Sequence, residues 1–197
     1  LPSRVVILGG GVVGSNAALI ALGVGADVSV LDRSIPTLES LAARFGMALR
    51  TVFSNRETVE EYVAAADLVV GAVLVPGGAA PKLIPRALLK RMRPGSALVD
   101  VAIDQGGTAE TSRPTTHADP IYREEGIVHY CVANMPGAVP HTSTYALNNA
   151  TLPFVLALAD KGIARALTED AHLRAGLNIH AGQVTHPEVA RALGKPF

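Results

Sequence analysis

The chain has 197 residues, 49% of them hydrophobic, with 17 basic side chains balanced by 17 acidic ones, no Trp, four Phe and four Tyr. That length is enough to bury one sizeable core, and the neutral balance, without a Lys/Arg cluster interleaved with aromatics, argues against a nucleic-acid surface. The longest apolar stretch, Leu68 to Pro76, is too short to cross a bilayer, and the single cysteine, Cys131, excludes an internal disulfide and suits a reducing, cytoplasmic compartment.

The first element is a short apolar strand, Val5 to Leu8, which runs straight into Gly9-Gly10-Gly11-Val12-Val13-Gly14. A strand, glycines spaced G-x-G-x-x-G and then a helix form the pattern that binds a dinucleotide. Gly9 permits the strand-to-helix turn, Gly11 lets backbone approach a pyrophosphate, and Gly14 lets the helix pack closely on the strand. Ser15 to Gly23 supply small and aliphatic residues for a buried helix, whose N-terminus offers unpaired N–H groups and a positive dipole end to the phosphates. Asp27 to Leu31 reads as a second strand. Just past it, Asp32 puts a carboxylate where both hydroxyls of an adenosine ribose can be held. That carboxylate repels the extra phosphate of NADP, so NAD is the expected cofactor. Arg33 points the other way, because arginine commonly receives that phosphate; read alone, it is a solvated loop charge.

Strands and helices then alternate. Ile35 to Phe45 reads as helix, Ala48 to Phe53 as strand, Arg56 to Ala65 as helix and Leu68 to Val73 as a fully buried strand. Leu83 to Arg91 follows as a helix closed by Pro94-Gly95, then Ser96 to Val101 and Ile127 to Val132 as the last strands. This order implies an α/β fold, a doubly wound parallel sheet of the Rossmann type, with a C-terminal helical appendage. The expected boundaries are residues 1–138 for the nucleotide-binding domain and 139–197 for the appendage.

Ligands of such sheets lie at the carboxyl ends of the strands. The fourth strand leaves through Val73-Leu74-Val75-Pro76-Gly77-Gly78, a turn able to lie along a cofactor. The fifth leaves through Asp100-Val101-Ala102-Ile103-Asp104-Gln105-Gly106-Gly107, and the sixth through Cys131-Val132-Ala133-Asn134-Met135. The carboxylate of Asp104 and the amide of Asn134 are thus expected to converge where a nicotinamide would lie. Each also has a plain reading as a cap or turn residue, and Cys131 as a small buried hydrophobe in a strand. The six histidines, His117, His129, His141, His172, His180 and His186, show no pair at helical ligand spacing, so they read as structural or surface groups and no metal site is expected.

Four strings together resemble the alanine dehydrogenase and pyridine nucleotide transhydrogenase family: GAVLVPG at Gly71 to Gly77, AIDQGG at Ala102 to Gly107, SRPTTH at Ser112 to His117 and YCVANMPGAVPHTSTYALNNATLP at Tyr130 to Pro153. The likeness to alanine dehydrogenase is strong to about Gly162 and loose beyond it. It implies NAD-dependent oxidation of L-alanine to pyruvate and ammonium, with the reverse amination. It also implies cofactor contacts at Val12, Val13, Asp32, Ser54, Val73, Leu74, Val101, Ala102, Ile103, Asp104, Arg113, Val132, Ala133, Asn134 and Met135. Asp104 would be catalytic: a carboxylate there steadies the charge of an iminium and handles protons as water attacks it. The family's other catalytic groups, an arginine, a lysine and a histidine, fall in an N-terminal segment that this chain lacks. Lacking Met at its start and opening a core strand almost at once, the chain reads as a cut piece, expected to bind NAD with little turnover alone. Hexameric assembly is likewise implied by the resemblance.

Thr142 or Ser143 is expected to cap a helix running to about Lys161, bent at Pro153 and rich in apolar residues from Leu147 to Leu158. The family likeness sends this helix back to a substrate domain; otherwise it lies on the outer sheet face. Two further readings stand beside the dehydrogenase. One is the NAD-binding part of a proton-translocating transhydrogenase, the other a non-catalytic NAD-binding module.

Overall fold

In a computed structural model describing all residues 1–197, the first three strands are β1 (Arg4–Leu8), β2 (Asp27–Asp32) and β3 (Leu49–Phe53). They are followed by β4 (Leu68–Gly71), β5 (Ala97–Asp100), β6 (Ile121–Glu124) and β7 (Ile127–Tyr130). These seven form one sheet in the order β3-β2-β1-β4-β5-β7-β6. All neighbours are parallel except β6 and β7, which pair antiparallel. The order reverses between β1 and β4, the switch point at which doubly wound sheets open a crevice.

The alternation of side chains along a strand explains why β1 is a continuous apolar run. Val6 and Leu8 join Val59, Val63, Leu88, Leu89 and Leu98 in one core, whereas Val5 and Ile7 join Ala18, Val28, Val30 and Leu41 in another. A strand buried on both faces has no polar side to show. Helices α1 (Val12–Gly23) and α2 (Ile35–Phe45) contribute to the second core through Ala18 and Leu41. On the opposite face, α3 (Arg56–Ala64) and α4 (Arg86–Leu89) supply Val59, Val63, Leu88 and Leu89.

Several elements differ from expectation, the strands read to Val73 and Val132 ending at Gly71 and Tyr130. The helix read over Leu83 to Arg91 shrinks to one turn, because Ile84 is taken by a bridge to Ala109. The strand read to Val101 stops at Asp100, where a 3-10 turn Val101–Gln105 begins. The sheet also carries an antiparallel edge: β6 and β7 are joined through Glu125 (φ 51°) and Gly126 (φ 79°), the left-handed pair of a two-residue hairpin.

The chain divides into two compact units, Leu1–Val75 with Ala79–Met135, and Pro76–Gly78 with Pro136–Phe197. In the second, α5 (Pro140–Glu169) begins with Pro140 at its first position and no side-chain cap. Ser143 therefore lies inside the first turn, donating its hydroxyl to the carbonyls of Pro136 and Val139. The helical backbone is interrupted at Gly162 (φ 73°, ψ 163°), not at Pro153. Beyond it lie α6 (Ala171–Ala175), the two-stranded β8 (Ile179–His180) and β9 (Gln183–Val184), and α7 (Pro187–Ala192).

Candidate functional site

Gly9 leaves β1 with φ 101°, its N–H bonded to Leu31 O at 2.8 Å. A Cβ on Gly9 would sit 2.7 Å from Ala72 O, and one on Gly14 would sit 1.8 Å from Gly9 O. Turn and helix therefore close on each other only because both residues lack side chains. Gly11, the N-cap of α1, is different: a Cβ there meets nothing within 4 Å. Its space is left open by the protein. The first turn of α1 has no acidic residue and no side-chain cap, so the N–H groups of Val12, Val13 and Gly14 and the positive helix end have no side-chain partner in the protein.

Asp32 ends β2 half-buried. Its Oδ2 accepts from Gly10 N at 2.7 Å and its Oδ1 from Ser34 N at 2.8 Å. A carboxylate accepts about four hydrogen bonds, so two directions remain. Asp32 lines a cleft of about 320 Å³ together with Gly9, Gly11, Arg33, Ser54, Val73 and Leu74. A second cleft of about 240 Å³ is lined by Gly11, Val12, Val13, Val101, Ala102 and Asp104, among others. Gly11, Ala72, Val73 and Leu74 border both. The two are halves of one trough along the sheet crest, with Asp32 at one end, the helix N-terminus midway and Asp104 at the other.

Asp104 rides on the 3-10 turn Val101–Gln105, closed by Gly106 in the left-handed region (φ 93°). Its side chain is exposed, whereas Ala102 and Ile103 beneath it are buried. The segment that follows this turn is anchored by Asp100, a residue that reading the sequence did not single out. Fully buried, it accepts on Oδ2 from Thr108 N (2.6 Å), Thr108 Oγ1 (3.1 Å), Ala109 N (3.3 Å) and Ser112 Oγ (2.5 Å). Gly71 and Gly107 leave room for this cluster: a Cβ on Gly71 would collide with Thr108 Oγ1 and lie 2.8 Å from Asp100 Oδ1, and one on Gly107 would lie 2.6 Å from Ser112 Cβ and 2.8 Å from Asp100 Oδ2. An acid closing an apolar strand, as Asp32 does, was the available signal.

Residues 1–187 match the family model "Alanine dehydrogenase/PNT, C-terminal domain". The chain belongs to this family. It is 63% identical over 196 residues to the alanine dehydrogenase of Halomonas elongata, covering 100% of the chain and 53% of that relative. A solved L-alanine dehydrogenase superposes with a TM-score of 0.84 at 51% identity, covering 98% of the chain and 53% of the other. The transhydrogenase of Sinorhizobium meliloti aligns less closely, with a TM-score of 0.67 and 25% identity over 95% of the chain and 51% of its own. The chain spans about half the length of the curated relatives it matches.

The remaining candidates of this alanine dehydrogenase/PNT domain lie off the trough lining. Val132 is buried and bridges Thr115, and Ala133 N donates to Thr115 O at 3.1 Å. Asn134 adopts φ 60°, with its carbonyl 3.0 Å from His117 Nε2. Asp104 lines the trough, and Asn134 and Met135 are not among the residues that line either cleft. Arg113 stacks on the Tyr122 ring at 3.9 Å and donates its backbone N–H to Tyr122 Oη, with its side chain held against the β6 edge. Ile103 is packed in the interior rather than at the lining. Burial pushes the Cys131 thiol up, in keeping with a small inert hydrophobe. No cluster of three His, Cys, Asp or Glu able to hold a metal ion occurs, and no helix is long and apolar enough to cross a membrane.

Proposed function

We propose that the chain is the NAD-binding part of an alanine dehydrogenase, serving the reversible oxidative deamination of L-alanine to pyruvate and ammonium. The observation that carries this reading is one trough whose length runs from the Asp32 carboxylate, past the first turn of α1, to the Asp104 carboxylate. The residues present fit the cofactor: Gly11 leaves room where a diphosphate would pass, and Asp32 keeps two acceptor directions for ribose hydroxyls. Bound there, NAD supplies the hydride acceptor. The N–H groups of Val12, Val13 and Gly14 hold its diphosphate, Ser54 borders the adenine end, and Val73 and Leu74 wall the trough against water. Asp104, exposed at the far end, steadies positive charge on the substrate and passes protons to and from water. Arg113, Val132, Ala133, Asn134 and Met135 complete the nicotinamide side by family likeness.

Residues 1–138 carry the cofactor, and residues 139–197 return to the substrate side. The working protein is a cytoplasmic homo-oligomer, a hexamer by the same likeness, whose partner is a small amino acid or keto acid rather than a nucleic acid or a membrane. Titration calorimetry with NAD and NADP tests the reading. NAD should bind more tightly than NADP, and Asp32→Ala should weaken NAD by about tenfold to a hundredfold, the equivalent of a hydrogen bond to a charged group. Saturating NAD that leaves both heat and melting temperature unchanged would exclude it.

A further inference from the structure

Gln105 follows Asp104 in the 3-10 turn and lines the trough beside it. Its side-chain amide makes two bonds to a single residue on the other wall. Val75 N donates to Gln105 Oε1 at 3.2 Å, and Gln105 Nε2 donates to Val75 O at 2.8 Å. The pairing reproduces the exchange of two bonds between opposed residues of antiparallel strands, and it admits one orientation of the amide, since a flip would set donor against donor and acceptor against acceptor. The backbone of the same residue also acts: Ala80 N donates to Gln105 O at 2.8 Å. Both feet of the segment leaving β4, Val75 before Pro76-Gly77-Gly78 and Ala80 after, are therefore tied to one residue.

This matters because the two walls come from different strands. Val73 and Leu74 follow β4, whereas Val101 and Asp104 follow β5. Past Gly71 and Asp100 the β4–β5 ladder has ended, so strand pairing no longer sets the width of the trough. We propose that Gln105 is a positioning residue that takes over where the ladder stops, clamping the β4 exit to the Asp104 turn so that the nicotinamide half of the trough is preformed. A preformed wall spares the ligand the cost of ordering it. The role is specific to Gln: Glu offers no donor to Val75 O when ionised, Met keeps the length and bulk without either bond, and Asn is a methylene too short.

The inference rests on the nucleotide reading of the trough, and the test separates the two. In the intact protein, Gln105→Met and Gln105→Glu are compared with the parent for exchange of the Val75 amide, NAD affinity, and the KM for NAD against kcat. Faster Val75 exchange is expected in Gln105→Met, which loses the acceptor, while Gln105→Glu keeps an acceptor for Val75 N and loses only the donor to Val75 O. Both variants should show an affinity about tenfold weaker and a raised KM per active molecule at an unchanged melting temperature. An unchanged Val75 exchange rate in Gln105→Met, or affinity and KM within about twofold of the parent in both variants, overturns the clamp. A parent that binds no NAD overturns the nucleotide reading instead, and Val75 exchange in the same variants still decides whether the walls are tied.

Discussion

At the scale of single residues, the glycine turn separates two requirements that its spacing merges. Gly14 is demanded by the protein, whose own Gly9 carbonyl occupies the place of a Cβ, while Gly11 is left free by it. Gly14→Ala should therefore cost about 3 kcal/mol or more in urea unfolding. Gly11→Ala should change stability by less than about 1 kcal/mol yet weaken NAD tenfold or more, by filling the opening beside the helix amides. His129 makes a different prediction. It is fully buried, stacks on Tyr122, donates through Nδ1 to Ile127 O and accepts at Nε2 from Thr111 Oγ1. Burial holds its proton affinity below the ordinary value of 6.5. The unfolded chain thus binds a proton first, so the stability tied to neutral His129 is complete above about pH 6.5 and falls as the pH drops toward the folded value. Unfolding midpoints taken at about pH 7.5 and about pH 5.5 should differ more in the parent than in His129→Gln. The glycines and Asp32 were legible because their spacing repeats the strand, glycine turn, helix, strand and acid of a dinucleotide-binding pattern. Asp100 and Gln105 were not, because their partners lie 8 to 12 and 30 residues away.

At the scale of elements, patterning located the central strands well and the edges poorly. Strands β1, β2 and β4 are buried on both faces, with Ser29 the one polar side chain inside β2, and no other element type suits so short a run. The β6–β7 hairpin escaped notice because Glu-Gly is a weaker turn signal than Asn-Gly and because β6, at the sheet edge, is only half covered. Its turn relies on Gly126 at φ 79°. Gly126→Ala should accordingly cost about 1–2 kcal/mol, read from the urea midpoint, with β7 still paired to β5. The short α4 is a case where tertiary pairing outweighed helix propensity: Ile84 bonds Thr108 and Glu110 through its backbone instead of entering the helix. In α5, the break falls at Gly162 because its φ of 73° is one that side chains resist, whereas Pro153 keeps helical angles.

For the whole molecule, a ligand bound only by the folded state must stabilise it. At about a hundred times its dissociation constant, NAD should add about 2.7 kcal/mol, a rise in melting temperature of roughly 5–10 °C for a chain of this size. NADP at equal concentration should give less, and Asp32→Ala should abolish most of the difference; differential scanning fluorimetry reads all three. The amino-acid sequence by itself determined the α/β class, the winding of the sheet about its glycine turn and the acid that ends its second strand. Those features follow from strand and helix periodicity, glycine dihedrals and a fixed spacing from glycine turn to acid, all of which are read along the chain itself. Only the tertiary structure decided which strand exits share a trough, that Gln105 bonds Val75 across it, and that the buried Asp100 anchors the segment from Thr108 to Ser112. Bonds spanning 8 to 30 residues depend on strand order and register, and no local pattern encodes where two separate loops will meet.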